Sequence, residues 1–327
     1  MTGGGGFLGR AVVRRLLARG DRVAILGRNP QPELQALGMF VNSGDIADYS
    51  AVREACRGMD AVVHTAAKAG VWGRREDFFS ANVTGTRNVL RACQSEGVGI
   101  LVHTSTPSVV YTGGSFEGAD ERLPYGHNFA CAYAESKAEA EQLALSAHDA
   151  GRLRVCALRP HLIWGVGDPH LLPRVIDRAR KGRLRIVGSG DNLVDITHVE
   201  NAALAHILAL DALQNDRAGG RAYFISQGEP VALWPWINGL LERLSVEPVQ
   251  KRISANNARR LGAALELVWG FLHLRGEPPM TAFTAVELAH SHWFNIEAAK
   301  RDLGYSPEVS TEDGVAQYVQ HCLNTGK

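Results

Sequence analysis

Lysine is scarce in this 327-residue chain: Lys68, Lys137, Lys181, Lys251, Lys300 and Lys327 are six of its 35 basic residues. A lysine inside a motif therefore carries weight. Cysteine is sparse as well. Cys56, Cys93, Cys131, Cys156 and Cys322 are scattered, with no CxxC spacing. That leaves no basis for a disulfide framework or a zinc site and suits a reducing compartment. An excess of charge is missing too, since 35 basic residues face 34 acidic ones. Neither a nucleic-acid surface nor an acidic solvated tail is indicated. Long apolar runs are lacking: the longest, 261–274, is interrupted by Glu266 and is too short to span a bilayer. Repeats, low-complexity tracts and a signal-peptide pattern are not seen, and the expected location is cytoplasmic.

Glycine, by contrast, is abundant at 35 residues, and the length suits about two domains or one large one. Short apolar runs (22–26, 61–64, 99–104, 153–158) alternate with helical patterns (10–19, 78–96, 134–150). This texture predicts parallel βαβ units, hence an α/β, doubly wound Rossmann sheet. After Trp164 the segments become shorter and turn-rich. Residues 1–164 are therefore expected to form the dinucleotide-binding domain. Residues 165–327 should form a smaller mixed substrate lobe, with about 195–213 returning to the sheet. A dinucleotide fold places a buried strand ahead of its glycine loop, yet only Met1 precedes Thr2-Gly3. The expectation is that the first strand is truncated at this start.

The loop Thr2-Gly3-Gly4-Gly5-Gly6-Phe7-Leu8-Gly9 spaces Gly3, Gly6 and Gly9 as GxxGxxG. Glycines there serve a tight turn, a close backbone approach to pyrophosphate and close helix packing, with the next helix's N–H groups toward the phosphates. Gly27-Arg28 ends the second strand where an acidic residue would favour NAD. A guanidinium can fork onto a 2′-phosphate, so NADP is expected in preference to NAD, a solvated surface arginine being the plain alternative. Asp45, before Ile46, can accept from the adenine amino group or cap the helix that follows. Tyr133 and Lys137 form YxxxK, which puts phenol and ammonium on one helix face. The ammonium is expected to lower the phenol's pKa, so that Tyr133 exchanges a proton with a substrate oxygen. Thr104-Ser105-Thr106 ends a strand whose hydroxyls could bind the same oxygen.

Together these pieces make the chain resemble the extended short-chain dehydrogenase/reductases, over nearly its whole length. They are TGGGGFLG, Asp45-Ile46, HTAAKAG, NVTGT from Asn82, HTSTPSV, YAESK and LRPHLIWGVGD. The tail PPMTAFTAVELAHSHWFNIEAAKRDLGYSPEV is similar to the 3β-hydroxysteroid dehydrogenase branch. AAKAGVWG, LPYG and GSGDNLVDITHVENAA resemble the group of that branch reducing 2-alkyl-3-oxoalkanoates in bacterial olefin biosynthesis. The resemblance implies Thr106 as the catalytic hydroxyl (Ser105 the fallback) and Tyr133 and Lys137 as the proton-transfer pair. It implies a cofactor site of Gly3, Gly6, Phe7, Leu8, Gly9, Arg28, Asp45, Ile46, Thr65, Ala66, Ala67, Asn82, Tyr133, Lys137, Pro160 and His161, Lys137 on the nicotinamide ribose, although His161 could equally be a packed histidine. No metal is implied.

Thr106-Pro107-Ser108 lacks the acidic pair of sugar dehydratases, and Lys68 and Trp72 lie in a loop expected to face substrate without a sugar-nucleotide signature. The favoured expectation is an NADP-dependent reductase of a 3-oxo group on an apolar chain, most closely a 2-alkyl-3-oxoalkanoate and next a steroid. A sugar-nucleotide epimerase and a non-catalytic NADP-binding module are the alternatives. Trp234, Trp236, Leu261, Leu265, Trp269, Phe271 and Leu272 favour an apolar ligand, unless they are simply core. The stretch 261–274 is apolar around so much of its helix that it is expected to line an acyl channel or to meet a membrane or partner surface, an ordinary core helix being the alternative. Expected partners are a small apolar molecule, a second copy in a homodimer, and other olefin-pathway enzymes or a membrane surface.

Overall fold

The computed structural model describes residues 1–36, 38–111 and 113–325. Helices and strands alternate through the first half. The order is α1 (Phe7–Arg19), β1 (Ala24–Gly27), α2 (Pro32–Ala36), β2 (Phe40–Ser43), α3 (Tyr49–Cys56) and β3 (Ala61–His64), then α4 (Arg75–Phe78), α5 (Gly85–Glu96), β4 (Ile100–Thr104), β5 (Phe116–Ala119), α6 (Ala132–Ser146) and β6 (Arg154–Pro160). The second half starts with β7 (Ile163–Trp164), α7 (Leu171–Arg180), β8 (Ile186–Val187), β9 (Leu193–Val194), β10 (Thr197–His198), α8 (Val199–Gln214) and β11 (Ala222–Ile225). It continues with β12 (Val231–Ala232), α9 (Leu233–Arg243), β13 (Arg252–Ile253), α10 (Ala255–Phe271), α11 (Ala282–Glu287), β14 (His292–Phe294), α12 (Glu297–Leu303) and α13 (Thr311–Thr325).

The core is an α/β Rossmann-type sheet. Strands β11–β6–β4–β3 are hydrogen-bonded in that order, and β1–β2 form the far side, every pair parallel. Thr2 joins the two parts, bridging Leu26 on β1 and His64 on β3. Beyond Met1 the strands flank a cavity of about 610 Å³ lined by Val23, Ala24, Met59, Ala61 and Leu210. The strands read as continuous apolar runs because both faces are covered: Leu101, Val102, Val155, Cys156, Ala157 and Leu158 are fully buried. Helix α8 packs on α1, β4 and β6. It is apolar nearly all round, and its buried Leu210 and Leu213 each contribute about 1.5–3 kcal/mol. The C-terminal lobe has its own mixed sheet, β12–β9–β14–β5, with β12 antiparallel to β9. Trp164, Trp234, Leu240, Leu241 and Tyr318 fill its core.

Two expected elements differ. The single helix over 78–96 is broken by a wide π turn, Phe79–Thr84, ahead of α5. Such turns concentrate at functional sites, and here the turn lets Asn82 reach back to the loop after β3. The expected strand at 153–158 runs on through Pro160, because β11 pairs with its end.

Candidate active site

The glycine loop is a cradle that side chains would fill. A Cβ on Gly9 would stand 2.0 Å from Gly3 O, and one on Gly3 would lie 2.7 Å from both Ala66 N and Thr65 Oγ1. Gly3 also has φ +70°, a left-handed conformation that glycine adopts without strain. Gly6 N–H donates to Gly3 O (2.9 Å) and closes the turn. Gly6 caps α1 with no side-chain bond, and the first turn of α1 holds no acid. The free N–H groups and the positive end of the helix therefore suit an anion such as a pyrophosphate. In front of the loop lies a cavity of about 610 Å³. It brings together Gly3, Gly6, Arg28, Asp45, Ile46, Thr65, Ala66 and Ala67 from the sequence-derived set, with Gln31, Lys68, Asp77, Ser80 and Ala81 besides. These features fit a dinucleotide.

Phe7, Leu8 and Gly9 form the first turn of α1 rather than the cavity wall. Asp45 Oδ1 accepts from Ala47 N (2.9 Å), whereas the cap of α3 is Asp48, which accepts from Ser50 N. Asn82 is buried behind the wall and braces it. Its Oδ1 accepts from Lys68 N (2.8 Å), and its Nδ2 donates to Lys68 O (3.2 Å) and Ser136 Oγ (2.9 Å). The loop after β3 is thus tied to α6. Pro160 ends β6 against Ile225. His161 is turned into the protein, its Nε2 2.6 Å from His292 Nδ1, and burial keeps its ring neutral.

The catalytic candidates meet at the C-terminal edge of the sheet. Tyr133 lies in the first turn of α6, which begins at Cys131 in extended conformation. Thr106 follows β4 and caps a short 3₁₀ turn, Pro107–Val110, accepting from Ser108 N. Burial pushes the Tyr133 phenol up to about 12, while hydrogen bonding with Thr106 draws it the other way. Phe78 stands edge-on to the Tyr133 ring, centroids 6.5 Å apart. Lys137 is buried one helical turn on, and desolvation lowers it to about 8 against the raising charge of Glu141. Its Nζ donates to Thr104 O at 2.5 Å. The expectation that Lys137 lowers the tyrosine's pKa is corrected here: burial dominates, and the ammonium is turned to the strand carbonyl. Ser105 Oγ is buried with no partner among the described residues, and Thr106 Oγ1 lies 3.2 Å from Ser108 Oγ at the start of the 3₁₀ turn.

A buried ion pair that sequence reasoning missed backs this edge. Arg159 on β6 forks onto Glu141 on α6 (2.6 Å and 3.0 Å), and Tyr125 Oη donates to the same carboxylate (2.8 Å). Glu141 lies at i+8 from Tyr133 and i+4 from Lys137, so the helical spacing was the available signal. On the lobe side, Tyr111, Phe116, Phe283 and Phe294 form a chain of ring contacts at 5.8–5.9 Å. The residues expected to favour an apolar ligand divide. Trp234 is lobe core, whereas Leu261, Phe271 and Leu272 are exposed.

The sequence profile of the 3-beta hydroxysteroid dehydrogenase/isomerase family matches residues 1–254. A 2-alkyl-3-oxoalkanoate reductase of Stenotrophomonas maltophilia (strain K279a) is 50% identical over 319 residues, 96% of each chain. One of Shewanella oneidensis is 45% identical, covering 96% of this chain and 84% of that one. Among solved structures, the dTDP-glucose 4,6-dehydratase DesIV of Streptomyces venezuelae aligns over 99% of this chain and 97% of its own. It does so at 27% identity with a TM-score of 0.76, and its crystals hold NAD in two complexes. That cofactor overturns the expectation of NADP over NAD drawn from Arg28. The physical reason lies at the rim: Arg28 is exposed at the end of β1, where a guanidinium can stack on adenine without any 2′-phosphate.

Proposed function

Since the chain belongs to the 3-beta hydroxysteroid dehydrogenase/isomerase family, we propose that it reduces the 3-oxo group of a 2-alkyl-3-oxoalkanoate, with NAD(H) as cofactor. It is a nicotinamide-dependent oxidoreductase acting between C=O and CH–OH groups. The observation that carries the substrate-side chemistry is the placement of Tyr133 in the first turn of α6 and of Thr106 just after β4, with buried Lys137 one helical turn on. The two relatives supply the substrate class, and the aromatic contacts from Tyr111 to Phe294 support an apolar one.

When bound, the nicotinamide supplies the hydride that reaches the carbonyl carbon. Thr106 Oγ1 donates to the developing alkoxide and holds it. Tyr133 gives that oxygen its proton, and its raised pKa keeps it protonated and ready as an acid at neutral pH. Lys137 places positive charge on the same helix face and is protonated below about pH 8. Asn82 and Ser136 fix α6 against the loop that walls the cavity. The glycine cradle and the first turn of α1 would hold the cofactor's phosphates.

The test is NADH oxidation by the purified chain against a 2-alkyl-3-oxoalkanoate, a 3-oxosteroid and a dTDP-sugar. The expected result is turnover of the oxo acid with kcat/KM at least about tenfold above the steroid, a gap of about 1.4 kcal/mol in transition-state binding, and none with the sugar nucleotide. Preferred turnover of the sugar nucleotide would overturn the reading.

A further inference from the structure

Five hydrogen bonds run in series from the glycine cradle to the main chain of Tyr133. Thr2, which leads into Gly3, has its Oγ1 2.7 Å from His64 Nδ1 at the end of β3. His64 Nε2 lies 3.0 Å from Thr86 Oγ1 in the first turn of α5. Thr86 Oγ1 donates to the Asn82 carbonyl in the π turn (2.6 Å). Asn82 carries the series on covalently, from its carbonyl to its side-chain amide. Its Nδ2 donates to Ser136 Oγ (2.9 Å), and Ser136 Oγ donates to the Tyr133 carbonyl (2.9 Å). Thr2, His64, Asn82, Thr86 and Ser136 are all buried, so each link is shielded from bulk water.

The place of every hydrogen in the series follows from what each atom can do. Carbonyls only accept, and the Asn82 amide is oriented by Lys68, whose N–H meets Oδ1 and whose carbonyl meets Nδ2. Thr86 gives its one hydrogen to the Asn82 carbonyl and must accept from His64, which puts the ring hydrogen on Nε2. Burial lowers His64 to about 3, helped by the charges of Lys137 and the Met1 ammonium, so the ring is neutral. The His103 ring beside it, centroids 5.4 Å apart, is kept neutral by burial as well. His64 Nδ1 is then bare and accepts from Thr2, whose Oγ1 accepts in turn from Ala66 N (3.3 Å). All five donors point the same way, from cradle to tyrosine. Thr2 is held firmly at its own end: its N donates to Val63 O (3.1 Å) and its O accepts from Thr65 Oγ1 (2.9 Å). A displacement of the cradle therefore reaches His64 instead of dissipating in a loop. We propose that His64, as its neutral Nε2–H tautomer, is a positioning residue that ties the cofactor cradle to the helix of Tyr133, so that an anion seated in the cradle sets the place of the phenol. The consequence for turnover rests on the reading of Tyr133 as proton donor given above; the tie itself does not.

The test uses the full chain with 3-fluorotyrosine at position 133 and ADP as the probe. ADP offers phosphates to the cradle and has no nicotinamide to touch Tyr133. Its binding, followed by titration, should shift the fluorine resonance in the parent. His64→Gln keeps a donor for Thr86 and an acceptor for Thr2, and it should retain the shift. His64→Phe should lose it. Thr86→Val keeps the side-chain shape and leaves the cradle untouched; it should lose the shift too, and it carries the test if His64→Phe fails to fold. Nitrogen NMR of the imidazole should show Nε2 protonated and Nδ1 bare at neutral pH. With a 2-alkyl-3-oxoalkanoate, kcat should fall at least about tenfold in His64→Phe and return to within about threefold of the parent in His64→Gln. A packing role alone would lower the melting temperature of His64→Phe and leave the fluorine response to ADP in place. That response in His64→Phe or Thr86→Val, its absence from the parent with ADP bound, or a hydrogen on Nδ1 would each overturn the proposal. A parent that responds to ADP but turns over no oxo acid would support the tie and refute the substrate reading.

Discussion

At the C-terminal edge of the core sheet the chain buries Lys137, Glu141, Arg159, Ser105 and Thr106, while along the outer side of α10 it exposes Leu267, Val268, Phe271 and Leu272. Both regions reverse the ordinary sorting of side chains, in opposite senses. A buried polar group costs free energy unless it is paired, and an exposed apolar group forgoes about 25 cal/mol per Å² of burial. Stability alone selects neither arrangement, and such conflicts gather where function is. The two regions differ in what holds them. Hydrogen bonds over-determine the edge: Glu141 by Arg159 and Tyr125, Lys137 by the Thr104 carbonyl, Ser136 by Asn82. Among the described residues the outer face of α10 has no comparable hydrogen-bond partners. Substitutions at the edge should therefore spread through the protein, and those on α10 should stay local.

The largest effect is expected at Tyr133. Tyr133→Phe keeps the ring and removes the proton donor, so turnover should fall by about 10²–10⁴, with NADH affinity by titration nearly unchanged. Glu141→Gln should come next. It leaves the Arg159 guanidinium buried without its countercharge and should cost about 3–5 kcal/mol in a urea titration. Loss below about 1 kcal/mol would mean that water or a local shift relieves the edge, and the contrast with α10 would weaken.

Lys137→Met sharpens the comparison because stability and activity should move in opposite directions. Folding lowers this lysine from 10.5 to about 8 by desolvation. Between those values the unfolded chain binds more protons than the folded one, so stability should rise as pH climbs from about 8 to 10.5, and the cost is fully present below pH 8. Lys137→Met should therefore stabilise the protein at pH 7 by roughly 2–3 kcal/mol, while turnover is lost. At pH 11 the two proteins should denature at nearly the same urea concentration. The smallest effect belongs to α10: Leu267→Ser and Phe271→Ser should each change stability by no more than about 0.5 kcal/mol.

Much of the edge was legible in the sequence because its residues are local. YxxxK fixes Tyr133 and Lys137 by helical spacing, GxxGxxG fixes the cradle, and apolar runs between helical patterns fix the parallel sheet. What was not legible depends on contacts distant in sequence or on backbone irregularity. Arg159 meets Glu141 across 18 residues, and His161 meets His292 across 131. The π turn at Phe79–Thr84 hides inside an ordinary helical pattern. Arg28 misled because a guanidinium serves a 2′-phosphate or an adenine face equally well. Helices α8 and α10 show the same limit. Both are apolar on most of their circumference, yet the sheet covers one and nothing among the described residues covers the outer side of the other.

The most direct test of the central claim is isotopic. NADH carrying deuterium at the transferred C4 position is incubated with the chain and a 2-alkyl-3-oxoalkanoate, and the product is analysed by mass spectrometry. The account predicts a 2-alkyl-3-hydroxyalkanoate with one deuterium at C3, formed by the parent chain and lost with Tyr133→Phe. An unlabelled product, or a labelled one formed equally fast by Tyr133→Phe, would contradict it.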